Sequence, residues 1–304
     1  MKIIRPIDID LLSLQDLLTN ISKSNLNKKP FVIVQDSPCL LRETLEVLQL
    51  GISPILYTND SVISGDIYSG SEDLRSWLMS SSVDKKRQLV ESIFNNLNIL
   101  PLMNVFKTNP SGDIGYHNNY HTMTMIINTY NACQLEMLDD KSQKILVISS
   151  LYHDFNHSGG ESTDDQNIIR ALNAVENSPY LDFFIELLAD IKDTVAVTQY
   201  PYLCQPHNIY QKIIRDCDLL QSLEPNWLEQ LFIGLLSEIN VSQKMKNLSP
   251  FTSLEFADMQ IKFINSLHFY SNYGKLKKFE LTNKFLPNVY KLKNEFVQNY
   301  ELQF

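Results

Sequence analysis

Two short segments, Tyr116-His117-Asn118-Asn119-Tyr120-His121 and His153-Asp154-Phe155-Asn156-His157, decide the fold expected of this chain. They contain four of its six histidines. Neutral imidazole and carboxylate groups at helical spacing are the usual protein ligands of a divalent metal that activates water. A third, acidic segment, Asp216-Cys217-Asp218, follows later in the chain. The sequence therefore predicts a metal centre.

The spacing within the two histidine segments indicates how their side chains could meet. His117 and His121 are four residues apart, so a helix over both would place them one turn apart on one face. His153 and Asp154 are neighbours, and they could serve one cluster only at the end or bend of a helix. His157, four residues beyond His153, returns to the same side.

The acidic pair Asp216 and Asp218 lies in the apolar, helix-like segment of residues 213–220. A charge in such surroundings is costly unless it is paired or bound to a metal. Either carboxylate could therefore complete the centre.

The bulk composition is that of a soluble protein. The 304-residue chain carries a net charge of −9, so no nucleic-acid-binding surface is expected. Its four cysteines are scattered without a Cys-x-x-Cys pair, which argues against a disulfide framework. The N-terminal residues lack the pattern of a signal peptide, and no stretch approaches about eighteen apolar residues. We expect a cytoplasmic protein that neither binds nucleic acid nor spans a membrane.

The sequence divides into two parts with different secondary-structure patterns. Residues 1–80 are mixed, with strand-like runs at 31–34 and 52–57 and a helix-like run at 40–50 between them. This pattern predicts a small α/β module, through which a homo-oligomer or a protein partner could be contacted. Residues 81–304 form an all-helical domain in this interpretation, so the fold class is mainly α.

The helices of the second domain are predicted from apolar residues that recur at helical spacing. Asp139 or Asp140 could cap the third of them. The predicted helices cover residues 84–106, 117–138, 142–154, 181–197, 208–222, 226–241, 253–273 and 283–300.

The histidine segments resemble the motifs of the HD superfamily of metal-dependent phosphohydrolases. More narrowly, they resemble the catalytic domain of class I 3′,5′-cyclic nucleotide phosphodiesterases, with Tyr-His-Asn-x-x-His at 116–121 and His-Asp-x-x-His at 153–157. Asp218-Leu219 is similar to the distal Asp-Leu metal ligand of that family, which favours Asp218 over Asp216. The resemblance covers about residues 100 to 275.

This resemblance implies a two-metal centre that hydrolyses a phosphodiester. The tighter metal, Zn²⁺, would be held by His121, His153, Asp154 and Asp218. Asp154 would bridge to a second ion, Mg²⁺ or Mn²⁺, bound largely through water. His117 would be the general acid that protonates the departing 3′-oxygen. His157 and Glu161 would order water at the metals or orient His117.

A further segment resembles the Gln-x-x-Phe-Ile signature with which these phosphodiesterases hold the purine, in the form Gln260-Ile261-Lys262-Phe263-Ile264. A helix would present Gln260 and Phe263 to one pocket, where an amide suits a purine edge and a phenyl ring offers stacking. Gln221 stands where the family commonly has an Asn, and it is a third candidate for substrate binding. The implied substrate is a cyclic nucleotide, cAMP or cGMP, converted to the 5′-monophosphate.

Some positions depart from the family pattern. The Thr-Asp-Met of the family appears as Thr198-Gln199-Tyr200, without the acid, and its second histidine pair appears as Asn167-Ile168. The segment between Asp154 and Asp218 is shorter than is usual. These departures bear on substrate choice and on the second metal more than on the reaction class.

Two alternatives stay open from the sequence. One is an HD-type phosphohydrolase that acts on another nucleotide or a cyclic oligonucleotide, and the other is a nucleotide-binding sensor that has lost turnover. A dNTPase is disfavoured, because residues 116–170 offer only Lys141, Lys144 and Arg170 to surround a triphosphate. A sensor is disfavoured because every expected metal ligand is present.

Overall fold

The computed structural model of the chain describes residues 2–4, 31–33, 54–55, 85–111, 115–224 and 227–301. Its strands are β1 (Lys2–Ile4), β2 (Phe31–Ile33) and β3 (Pro54–Ile55), and they form a parallel sheet in the order β1-β2-β3. Both predicted strands are present in shortened form. The helix predicted over residues 40–50 and the domain boundary near residue 80 lie outside the described residues.

From residue 85 onward the described chain is helical, which confirms the prediction of a mainly α fold. The α-helices are α1 (residues 85–96), α2 (Val105–Thr108), α3 (Asn119–Leu135), α4 (Asp140–Tyr152), α5 (Asp164–Glu176), α6 (Leu188–Ala196), α7 (Ile209–Asp218), α8 (Leu236–Met245), α9 (Ser253–Ser266), α10 (Asn272–Glu280) and α11 (Leu286–Glu301). Short 3₁₀ turns lie at Leu100–Asn104, Leu181–Phe183, Ile185–Leu187 and Leu219–Leu223, and π-helical segments at Leu228–Leu235 and Leu281–Phe285.

The start of α3 differs from the prediction in a way that affects the site. The side chain of Asn118 accepts hydrogen bonds from the backbone N–H groups of Tyr120 and His121 at 2.9 and 3.1 Å, so Asn118 is the N-cap. His117 therefore precedes the helix. The expectation that His117 and His121 share one helical face is wrong, because the helix begins only after Asn118 and includes His121 alone.

Other helix boundaries are also set by local signals. The helix predicted over 84–106 ends near residue 96, because Asn98 adopts a left-handed conformation and Pro101 begins a 3₁₀ turn. Asp139 caps α4, as predicted. The predictions missed α5, although Thr163 and Gln166 form a capping box at its start.

Helix α3 is central to the packing and is buried on most of its surface. Met123 and Ile126 belong to an apolar cluster shared with α1, α4 and α6. Met125 and Cys133, on the other side of α3, belong to a second cluster built with helices α7 to α11. Burial of each large apolar side chain contributes about 1.5–3 kcal/mol, so α3 is held in place from both sides.

None of the described helices combines the length and apolar character needed to cross a bilayer.

Candidate metal centre

Two imidazoles and two carboxylates from three helices meet at the ends of those helices. His121 lies in the first turn of α3, His153 directly follows α4 with Asp154 after it, and Asp218 is the last residue of α7. Their four candidate ligand atoms all lie within 4.8 Å of one another. We call these residues the His/Asp cluster. The structure thus brings together the four residues that the sequence analysis named as metal ligands.

The hydrogen bonding of the cluster fits a cation. Nδ1 of His153 lies 2.8 Å from the carbonyl oxygen of Ser150, which can only accept, so Nδ1 is a donor and Nε2 is the ring nitrogen directed to the cluster. That Nε2 lies 2.8 Å from Oδ2 of Asp154 and 3.2 Å from Nε2 of His121. Oδ2 of Asp154 is buried against both imidazoles. Convergent, electron-rich atoms of this kind are stabilised by a divalent metal ion.

The charges of the cluster are strongly coupled. Burial alone would lower the pKa of His121 and His153, but the carboxylates of Asp154 and Asp218 outweigh it and raise both pKa values. Burial opposes ionisation of Asp218, yet the hydrogen bonds with His121 and His153 lower the pKa of its carboxyl to about 2. Protons and metal ions therefore compete for the imidazoles, and metal binding is favoured as the pH rises.

Beside the cluster, His117 is hydrogen-bonded to a carboxylate that the sequence analysis did not identify. Nδ1 of His117 lies 2.5 Å from Oε2 of Glu238 on α8. Oε1 of Glu238 accepts hydrogen bonds from the backbone N–H groups of Tyr116 and His117, at 2.5 and 3.1 Å. Burial lowers the pKa of His117, but Glu238, Asp154 and a hydrogen bond to Glu238 outweigh that effect and raise it to about 9. His117 is therefore cationic at neutral pH.

The ring of His157 stacks on that of His117 but is neutral where His117 is cationic. Their ring centroids are 3.7 Å apart and the ring planes are inclined by 29°. Burial and the charge of His117 lower the pKa of His157 to about 4, so its ring is neutral. The side-chain amide of Asn167, which stands at a position where the resembled family has a histidine, lies 2.9 Å from Nε2 of His157.

The structure does not bring Glu161 to His117. Glu161 is exposed, and Glu238 takes the orienting position that was predicted for it. Glu238 was missed because it belongs to no recognised motif and its partner lies 121 residues away in the chain. In the structure Gly115 has φ +41°, and a Cβ atom there would overlap Oε1 of Glu238, so only a glycine leaves room for this carboxylate.

Gln221 is placed behind the His/Asp cluster. Its side chain is buried, and its Oε1 lies 3.4 Å from Nδ1 of His121. Gln221 was predicted to bind substrate, but in the structure it contacts Nδ1 of His121, the ring nitrogen that faces away from the cluster. A hydrogen bond there would hold the His121 ring with Nε2 directed to the cluster.

Asp216 is hydrogen-bonded to the start of another helix, whereas Asp218 faces the His/Asp cluster. The buried carboxylate of Asp216 accepts hydrogen bonds from the backbone N–H groups of Tyr270 and Ser271 and from the hydroxyl of Ser271. Ser271 is the N-cap of α10. The carboxylate therefore anchors the start of that helix, and only Asp218 of the pair belongs to the His/Asp cluster.

The two candidate purine-binding residues lie on α9. Gln260 is 7% exposed, and its side-chain amide makes no hydrogen bond within the described part of the chain. The ring of Phe263 lies 6.0 Å from the ring of Tyr200, with the planes at 83°. A buried amide with unused donors and acceptors, one turn from an aromatic ring, could receive a ligand.

Comparisons with known proteins leave the family unassigned. No protein-family model and no curated protein matches the chain. Among solved structures, the chain is similar to the Leishmania phosphodiesterase LmjPDEB1 in complex with IBMX, with 13% sequence identity and a TM-score of 0.47. The match covers 74% of this chain and 88% of that chain. A likeness this partial does not bear on function, which must be inferred from this chain's own residues.

Proposed function

We propose that the chain is a metal-dependent phosphodiesterase that hydrolyses a 3′,5′-cyclic purine nucleotide, cAMP or cGMP, to the 5′-monophosphate. The observation that carries the proposal is the His/Asp cluster with a cationic imidazole, His117, directly beside it. Hydrolysis of a phosphodiester needs an activated water, neutralisation of phosphoryl charge and a proton for the leaving oxygen. This arrangement has a group for each requirement.

The His/Asp cluster would hold the metal ions, Zn²⁺ with Mg²⁺ or Mn²⁺ at a second position beside Asp154. When bound, such ions activate water at neutral pH and neutralise phosphoryl oxygens. The protein's contribution is to keep the ligand atoms in place. Ser150 and Gln221 do so by contacting the Nδ1 atoms of His153 and His121, so that both Nε2 atoms are directed to the cluster.

His117 would supply the proton. Its Nδ1–H is held by Glu238, so the second proton, on Nε2, is the one available to the departing 3′-oxygen. Glu238 also binds the backbone of residues 116 and 117, which keeps the ring in one orientation while its charge changes. A general acid positioned in this way typically contributes about 10²–10⁴-fold to the rate.

His157 would support this acid without sharing its charge. Because His157 is neutral and stacks on His117, it restricts the His117 ring and adds no second positive charge. A pair of titratable groups whose pKa values are separated by their surroundings is a common feature of acid–base sites.

Gln260 and Phe263 would recognise the base. The amide of Gln260 can present a donor and an acceptor to a purine edge, and Phe263 offers a stacking face. The orientation of a side-chain amide can suit either adenine or guanine, so both cyclic nucleotides are included in the proposal.

The test is hydrolysis of a panel of substrates by metal-loaded protein, with the His153→Ala variant as control. The panel contains cAMP, cGMP, cyclic dinucleotides, linear dinucleotides and nucleoside monophosphates. Turnover of a 3′,5′-cyclic purine nucleotide that the variant lacks supports the proposal. Turnover of other phosphoesters alone would favour the HD-type alternative, and metal-dependent nucleotide binding without any turnover would favour a sensor.

A further inference from the structure

The ring of Tyr200 lies beside that of Phe263. Tyr200 belongs to the connection between α6 and α7, and 53% of its side chain is exposed. Its ring meets that of Phe263 at nearly a right angle, with centroids 6.0 Å apart. Neither the metal centre nor the proposed acid uses this residue.

We call residues 199–206, the segment around Tyr200, the tyrosine loop. Contacts with α5 and α7 hold its backbone in place. Oδ2 of Asp164, in the first turn of α5, accepts the backbone N–H of Tyr200 at 2.5 Å. The guanidinium carbon of Arg215 lies 3.4 Å from the ring centroid of Tyr202, and its Nη1 donates to the carbonyl oxygen of Cys204 at 2.6 Å. The loop backbone is therefore ordered, while the Tyr200 ring stays accessible.

Arg215 connects the tyrosine loop to the metal centre. It precedes Asp218 by three residues on α7, so both side chains lie on one side of that helix. The ring of Tyr202, which Arg215 supports, lies 5.3 Å from the ring of Tyr200. A continuous series of contacts thus runs from the helix that carries Asp218, through Tyr202 and Tyr200, to Phe263. Tyr200 is the member of this series that contacts Phe263.

We infer that Tyr200 is a specificity-determining residue whose ring forms, with Phe263, a two-sided aromatic corner for the planar base of the ligand. Because the two ring planes are inclined at 83°, the rings cannot enclose a base between parallel faces. Two rings at 83° offer instead a face for stacking and an edge for a perpendicular contact. This inference rests on the proposed function and adds a contact that selects ligands with a planar base.

The test compares substrates with and without a base in the Tyr200→Ala, Tyr200→Phe and Tyr290→Ala variants. The measured quantity is the ratio of kcat/KM for cAMP or cGMP to kcat/KM for methyl p-nitrophenyl phosphate. Removal of the ring should lower this ratio about tenfold, through KM of the cyclic nucleotide, because one base–aromatic contact is lost. Tyr200→Phe should restore the ratio, and the exposed Tyr290 on α11 is the matched control. An unchanged ratio in Tyr200→Ala would overturn the inference.

A binding measurement separates failure of this inference from failure of the proposed function. Calorimetry with AMP, GMP and ribose 5-phosphate is carried out on Mn²⁺-loaded protein, so that no turnover is required. Tighter binding of a purine monophosphate than of ribose 5-phosphate, reduced about tenfold in Tyr200→Ala, supports the aromatic corner even if no cyclic nucleotide is hydrolysed. Two results would refute the inference. One is that the wild type binds AMP, GMP and ribose 5-phosphate with equal affinity. The other is that Tyr200→Ala binds the tighter monophosphate as well as the wild type does.

Discussion

At the level of single residues, His117 and His157 show how two stacked imidazoles can hold different charges. Glu238 stabilises the cation of His117, and that cation in turn lowers the pKa of His157. The pair therefore presents one proton donor and one neutral ring. Burial favours the neutral ring of both residues, but the carboxylate of Glu238, 2.5 Å from His117 and 3.9 Å from His157, helps to outweigh burial only at His117.

The Glu238→Gln variant should move the alkaline limit of activity to lower pH. An acid catalyst is active while protonated, so wild-type turnover should be lost as the pH rises through about 9, the raised pKa of His117. Without the Glu238 charge, the limit should shift toward 6.5, the ordinary value for histidine. The measurement is the pH dependence of kcat, with exposed Glu161→Gln as control. An alkaline limit at the same pH in Glu238→Gln and wild type would rule out this role for Glu238.

The same residues show which parts of the site could be predicted from the sequence. The ligands of the His/Asp cluster could be named because they come from compact motifs whose spacing has a chemical meaning. Glu238 could not, since its contact with His117 is made only when α8 packs against the segment before α3. Glu161 was named in its place from the family resemblance, but its position is exposed.

At the level of secondary structure elements, the site is assembled from helix ends. Asn118 caps α3 and leaves His117 outside the helix, while the ends of α4 and α7 present His153, Asp154 and Asp218. Periodicity predicts where helices run but not the residue at which each one ends. For this reason the sequence analysis found the ligands and still misplaced His117 on the helix.

Asp216 and Asp218 should have separate effects, although they lie on the same helix. Asp216→Ala removes three hydrogen bonds at the start of α10 and should lower the free energy of unfolding by about 2–4 kcal/mol, with metal binding retained. Asp218→Ala should abolish metal binding, because it removes one of the four ligands of the His/Asp cluster. Urea unfolding in the presence of a chelator measures the first effect, and metal titration measures the second. Loss of metal binding in a stably folded Asp216→Ala protein would contradict this division.

At the level of the whole molecule, the His/Asp cluster joins the two apolar clusters that pack on either side of α3. His153 follows α4, which packs in the apolar cluster that contains Phe94, and Asp218 ends α7, which packs in the cluster that contains Trp227. The sequence predicted a mainly α fold, but it did not predict how the two apolar clusters pack around α3. The polar first turn of α5 and the π-helical segments do not follow the apolar spacing by which helices were predicted.

Metal binding should therefore stabilise the whole helical body. A metal at about 100 times its Kd stabilises the native state by about 2.7 kcal/mol, which corresponds to a rise in Tm of about 5–10 °C for a domain of this size. The rise should shrink as the pH falls, because the raised pKa values of His121 and His153 let protons displace the metal. Thermal unfolding of chelated and Zn²⁺- or Mn²⁺-loaded protein measures the effect, which should be absent in Asp154→Ala and present in the surface variant His207→Ala. An equal rise in Asp154→Ala and wild type would show that the metal binds elsewhere.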